Sequence, residues 1–139
     1  MRRNVAYFII LSVFFMLSST GVGTSFSGEG LHTFYFADKS SCAVAASMPE
    51  DEAERVIYVK SDKKGESAVF YSAEKVKRLL LSLGCEKIFS EKGEDFDCDY
   101  YYSPEVPTFC TVNGLRVNVH VAKAKDRIVV GIPFIFGGY

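Results

Sequence analysis

The chain has no tryptophan and only two histidines, His32 and His120, and its four cysteines never form a C-x-x-C pair. Without that pair neither a thioredoxin-like redox centre nor a zinc knuckle is indicated. There is no G-x-x-x-x-G-K-[ST], G-x-G-x-x-G, H-E-x-x-H or G-x-S-x-G. Phosphate-loop chemistry, dinucleotide binding, zincin-type proteolysis and α/β-hydrolase activity therefore lose their usual sequence support. An excess of either charge is also missing, with 16 basic residues against 17 acidic ones. A nucleic-acid partner calls for a basic face, and an electrostatic membrane partner calls for the same. Neither is expected. The longest apolar run, Val5–Leu17, covers thirteen residues and is broken only by Ser12. A helix that spans hydrocarbon needs roughly 20.

That run is nevertheless informative. Arg2 and Arg3 precede it, and Ser18, Ser19, Thr20, Gly21, Val22 and Gly23 follow. A cationic head, a short apolar core and a small-residue tail make the pattern of an export signal. Residues 1–23 are expected to be a signal peptide or, through residues 5–22, an N-terminal membrane anchor. The arginine pair favours a cytoplasmic N-terminus in both cases. Leaving out Arg2 and Arg3, the rest of the chain carries 14 basic residues against 17 acidic, a net charge of −3. Residues 24–30 are small and polar and read as a disordered lead-in, which leaves 31–139 for a single domain.

Twelve phenylalanines and eight tyrosines, with β-branched residues crowding the C-terminal half, favour sheet. Strands are predicted at 31–37, 42–47, 55–60, 66–71, 85–91, 95–103, 108–112, 115–122 and 128–136. The charged stretch Pro49–Glu54 reads as a surface connection with room for one helical turn. Asn113-Gly114 between alternating strands is a strong hairpin signal, because both turn positions need positive φ. One helix is predicted, Ser72–Leu83. Ser72 suits its N-cap, Glu74 its first turn, and Gly84 its left-handed stop. Val76, Leu79, Leu80 and Leu83 make an i, i+3, i+4, i+7 stripe, and Tyr71 is placed to staple against Val76. The expected fold is α+β: an antiparallel sheet meander with one amphipathic helix packed on one face.

Candidate sites follow from this pattern. Val117, Val119 and Val121 are expected to face the core, which sets Arg116, Asn118 and His120 in a polar row opposite them. That row, with Tyr101 from the aromatic run Tyr100–Tyr102, is the candidate ligand-binding surface. Asp95, Asp97 and Asp99 alternate along one strand and share a face, but the stretch fails the EF-hand pattern at its sixth and twelfth positions, Tyr100 and Val106. No metal, cofactor or catalytic residue is assigned. An even number of cysteines in an exported chain permits two disulfides in three pairings, and Cys98–Cys110 is the first pair to test, since both can lie on neighbouring strands. His32 is placed beside the lead-in and given no role.

The segment Val112–Ala122, followed by Val130–Ile135 and ending at Tyr139, resembles the C-terminal end of the YwmB-like exported proteins of spore-forming Firmicutes. The likeness covers roughly the last 70 residues, from the helix at Ser72 onward. It implies an N-terminal signal or anchor and an α+β domain comparable to the TATA-box-binding fold. It implies no catalytic residue, and a fold of that kind does not by itself give DNA binding. The function expected is a non-catalytic exported domain that binds a protein or cell-envelope component. The alternative is a small thiol-dependent enzyme using His120 with a cysteine.

Overall fold

The structure, a computed structural model, describes residues 20–22, 25–36, 45–54, 57–59 and 63–136. Residues 1–19 of the leader, the turn at 38–41 and Cys42 lie outside them. Among the described residues no helix is long and apolar enough to cross a membrane.

The fold is α+β and mostly antiparallel sheet. Its strands are β1 (Thr20–Val22), β2 (Leu31–Tyr35), β3 (Ala45–Pro49), β4 (Ile57–Val59), β5 (Gly65–Phe70), β6 (Glu86–Lys92), β7 (Asp97–Tyr102), β8 (Cys110–Val112), β9 (Leu115–Val117), β10 (Val119–Lys123) and β11 (Ile128–Ile132). Two short helices complete the described elements, α1 (Glu50–Ala53) and α2 (Ala73–Ser82). Seven strands form the main sheet in the order β3-β2-β5-β11-β10-β7-β6, while β1 pairs with β4 and β8 with β9. The expected meander therefore covers only β6, β7, β10 and β11. Strand β11 then pairs with β5, which comes before α2 in the chain and joins the meander to the β2–β3 hairpin.

Local chemistry sets the limits of α2. The Ser72 hydroxyl accepts from the Lys75 N–H, as an N-cap does. At the other end the N–H of Gly84 bonds to the Leu81 carbonyl and that of Cys85 to the Leu80 carbonyl. With Gly84 at φ +61° this is a Schellman stop. Tyr71 does not act as the staple: it is 65% exposed, and Phe70 is the residue that shares a buried cluster with Val76.

Both faces of the sheet carry a core. One cluster joins Phe26, Ala68, Phe70, Val76, Val119, Val121 and Val130, with Leu79, Leu80 and Leu83 of α2 packed against it. The other joins Tyr35, Cys98, Tyr100, Val117, Ala122, Val129, Ile135 and Phe136. The second core has a simple origin. The last strand stops at Ile132 rather than running to Phe136, and residues 133–136 fold back over the sheet, burying Ile135 and Phe136.

Residues 25–30, expected as a disordered lead-in, are also packed. Phe26 stacks on Phe70 with ring centroids 6.3 Å apart, and the N–H groups of Glu29 and Gly30 both bond to the Val69 carbonyl. The small residues read as disorder signals serve close approach instead: a Cβ on Gly28 would lie 2.6 Å from that of Ala68.

Candidate functional site

The residues expected to form one polar row do not meet. Val117 lies in one core, whereas Val119 and Val121 lie in the other. The strand bends at Asn118, where β9 leaves the β8 ribbon and β10 enters the main sheet, and the alternation of faces changes phase there. Arg116 stays exposed, with its guanidinium 4.6 Å from the Phe109 ring centre. Tyr101 is half-buried on the α2 side, and the Lys87 ammonium lies 5.6 Å from its ring centre. His120 is fully buried on the other side.

Four rings stack there. Phe89 lies 4.3 Å from Tyr100, Tyr100 lies 4.6 Å from His120, and His120 lies 4.4 Å from Phe134. Burial lowers the His120 pKa to about 4, so the ring is neutral, and its Nδ1 accepts from the Ile135 N–H at 3.5 Å. With no exposed surface His120 offers a substrate nothing to touch, and the thiol-enzyme reading finds no support in this placement. Burial also pushes the Cys85 thiol up to about 11, away from the reactive thiolate.

Cys85, Cys98 and Cys110 are thiols. Cys98 and Cys110 are not on paired strands, although Cys110 packs against the core cluster that holds Cys98. Cys98 sits on β7, between β6 and β10, whereas Cys110 begins the separate β8–β9 ribbon. The three aspartates do not converge on a common point either. Lys92 binds Asp97 at 2.8 Å, and Lys123 and Lys87 bind Asp99 at 2.7 and 3.1 Å. Burial alone would raise the Asp99 pKa, but bonds from Lys123, Ser90 and Lys87 bring it down to about 2.

Asn118 has a structural task. Its side-chain oxygen accepts from the Ser103 N–H at 2.7 Å, and its amide donates to the carbonyls of Ser103 (2.7 Å) and Val106 (3.3 Å). Ser103 in turn donates its hydroxyl to the Leu83 carbonyl at the end of α2. This chain of bonds holds the 103–108 loop beside the helix. Asn118→Ala is expected to lower stability by about 2–3 kcal/mol, because it leaves buried backbone groups without partners. Arg116→Ala, on the open face, is expected to change it by less than about 0.5 kcal/mol. Urea unfolding of the two variants checks the contrast, and equal costs would show that Asn118 is not a clamp.

The loop so held borders a cleft of about 520 Å³. Ser25–Ser27 and Lys63–Gly65 form one wall, Leu79, Ser82 and Leu83 of α2 another, and Glu105–Thr108 with Ile132 and Pro133 complete it. Leu79, Leu83, Val106, Pro107, Ile132 and Pro133 make its lining largely apolar. Lys64 and Glu105 are exposed and have no ion-pair partner among the described residues.

Behind the first wall lies a cluster assembled from distant parts of the chain. His32, 0% exposed, faces inward from β2. Its Nδ1 is 2.8 Å from Glu50 Oε2 at the start of α1, and its Nε2 is 3.0 Å from Glu66 Oε2 on β5. Glu66, 1% exposed, also meets the Lys63 ammonium at 3.4 Å and accepts from the Ser25 N–H. The rings of Phe26 and Phe34 flank the imidazole at 5.5 and 5.0 Å.

Burial acts to lower the His32 pKa, but the bonds to Glu66 and Glu50 outweigh it and hold the group above its ordinary value. Burial acts to raise the Glu66 carboxyl, but His32, Lys63 and Ser25 together hold it below. With both ring nitrogens taken by carboxylates, His32 has no nitrogen left to act as base, nucleophile or metal ligand. Among the described residues no group of three or more histidine, cysteine, aspartate or glutamate side chains is arranged to hold a metal ion. The sequence carried one usable signal for this cluster: His32 and Phe34 fall on the same phase of an alternating strand. Compared with protein-family models, with curated proteins and with solved structures, the chain has no match.

Proposed function

We propose that the protein is a non-catalytic exported domain that binds an extended segment of a protein or cell-envelope component in the cleft bordered by residues 25–27, α2 and the 105–108 loop. The leader at 1–23 is the basis for export, as a cleaved signal or as an anchor; the pairing of Thr20–Val22 with Ile57–Val59 counts against a membrane-spanning segment that runs as far as residue 22. In this reading α2 is the amphipathic cover of one sheet face, with its Leu79–Leu83 end left to line the cleft. Kinship with the YwmB-like exported proteins belongs to the same reading and rests on the motifs of 112–122 and 130–135.

The observation that carries the proposal is the cleft itself. Concave sites with an apolar lining and a few convergent polar groups are the usual form of a ligand site, and a volume of about 520 Å³ lies in their range. The two unpaired charges add direction. Lys64 suits an acidic residue of the bound segment and Glu105 a basic one, with apolar residues between.

Selection of heptapeptides from a random library on the full chain tests this. The expected winners carry an apolar centre flanked by one acidic and one basic residue. Lys64→Glu should weaken them about ten-fold, the loss of one favourable charge contact worth about 1.4 kcal/mol. Pro107→Glu, which puts a charge among the apolar lining, should weaken them at least as much. Winners that bind both variants as tightly as the parent chain would show that the cleft is not the site.

A further inference from the structure

We propose that His32 is a proton-operated latch on the cleft: as an imidazolium it ties α1 to β5 and keeps residues 25–28 in place as the cleft wall, and on losing its proton it lets that wall go. The consequence for binding rests on the cleft reading above; the latch itself rests on the geometry behind it.

A neutral imidazole has one N–H and one lone pair, while an imidazolium has two N–H groups. His32 faces a carboxylate oxygen on each side, at 2.8 and 3.0 Å. Only the imidazolium can donate to both. Without the extra proton, a ring lone pair faces a carboxylate in a site with almost no water to separate them. A buried charge without its partner costs several kcal/mol, so one carboxylate must leave or take up a proton.

Glu50 is the one placed to leave. Glu66 is 1% exposed and keeps Lys63 and the Ser25 N–H as partners after His32 turns neutral. Glu50 has 13% of its side chain exposed, and its other oxygen, Oε1, is buried with no hydrogen-bond partner. It also opens a helix of only four residues.

The groups that face His32 are few. They are Glu50 from α1, Glu66 from β5, Lys63 acting through Glu66, and the uncharged rings of Phe26 and Phe34. None of them replaces the missing proton.

Departure of α1 would reach the cleft through three contacts. The Glu50 N–H donates to the Gly30 carbonyl at 3.1 Å, the Ser27 hydroxyl donates to Glu54 at 3.1 Å, and Gly28 packs close to the Glu50 carboxylate. Ser25, Phe26 and Ser27 all line the cleft. The sign is set by the raised His32 pKa. The latch is fully closed below the ordinary histidine value of 6.5 and opens as pH rises through the higher folded-state value.

Two NMR measurements on the full chain test the latch: the ¹³Cε1 shift of His32 against pH, and exchange protection of the Glu29 and Gly30 amides, corrected for intrinsic exchange. The expected result is a His32 midpoint above 6.5, with protection of those amides falling about ten-fold or more across the same interval while β10–β11 amides hold theirs. Glu50→Gln provides the control, because its amide donates to the lone pair of a neutral His32, so protection should no longer follow pH. A midpoint at or below 6.5, protection that ignores His32, or an unchanged step in Glu50→Gln each overturns the proposal. Library peptides are then measured on both sides of the step. Binding that disappears as the wall opens supports latch and cleft together. Binding that persists on an opened wall supports the latch and removes the cleft reading.

Discussion

His32→Leu is expected to lower the stability of the domain by about 3–5 kcal/mol at pH 6, the usual cost of removing one partner from a buried ion pair. The leucine matches the imidazole poorly in shape, but shape is the smaller part of the loss. Most of it comes from leaving Glu66, 1% exposed, with one cation fewer, and Glu50 Oε2 with no donor at all. A second substitution makes the point sharper. Glu66→Leu in the same chain removes the stranded charge and should recover part of the deficit, since a buried pair replaced as a whole by apolar groups is often close to neutral. The pH dependence carries a sign as well. Because the His32 pKa is raised in the folded state, its contribution is full below 6.5 and disappears as pH rises through the folded value. The gap between parent and variant should therefore narrow toward alkaline pH. Urea unfolding at several pH values measures it, with an unchanged slope showing that the denatured state has not altered. A loss below about 1 kcal/mol at pH 6 would mean that the two carboxylates do not depend on His32.

Gly131→Ala is expected to be nearly as damaging, at about 3 kcal/mol or more, although it adds a single methyl group. Gly131 is the fourth of the five residues of β11, paired with His120 on one side and Ser67 on the other. Its φ is not positive, so the requirement for glycine is one of space. A Cβ there would stand 2.5 Å from Ile135 Cγ1, 2.7 Å from the Ile135 nitrogen and 2.7 Å from the Phe134 carbonyl carbon. Two of these are backbone atoms, which have no rotamer to move into. The 133–136 segment would have to lift, taking Phe134 off His120 and exposing Ile135 and Phe136, which are 2% and 5% exposed. Thermal unfolding measures the cost. The His120 imidazole shift reports whether its ring has lost its cover, since a hydrated ring returns toward the ordinary histidine pKa from about 4. An alanine variant as stable as the parent, with His120 still at its depressed value, would refute this account of the fold-back.

Much of the architecture was legible because it depends on neighbours in the chain. The Asn113-Gly114 turn requires two positive φ values, and both residues take them, at 52° and 76°. The Ser72 cap and the Gly84 stop each use atoms within a few residues, so the limits of α2 follow from a short window of sequence. The strands expected at 31–37 and 128–136 are present in shorter form, at 31–35 and 128–132, and their aromatic and β-branched residues mark them.

The candidate site was not legible in the same way. Asn118 looks like one more outward residue of an alternating strand until the bend at that position is known, and a bend of one residue exchanges the two faces for everything after it. His120 was expected in the open because its own strand has valines on the other phase. It is buried because 133–136, which contains Pro133, leaves the sheet and covers it. The pairing proposed for Cys98 and Cys110 assumed neighbouring strands, and the strand order puts β7 and β8 in different sheets.

By itself, then, the sequence determined the sheet-rich class, the limits of α2, the Asn113-Gly114 turn, the scarcity of catalytic motifs and the near balance of charge, because each of these is a property of residues close together or of simple sums. Tertiary structure alone decided which histidine would matter. His32, Glu50 and Glu66 stand 18 and 16 positions apart along the chain and become neighbours only when β2 pairs with β5 and α1 closes over them. An imidazole held between two carboxylates in a buried site depends on that site's low polarity, and no local pattern of residues encodes where such an interior will be.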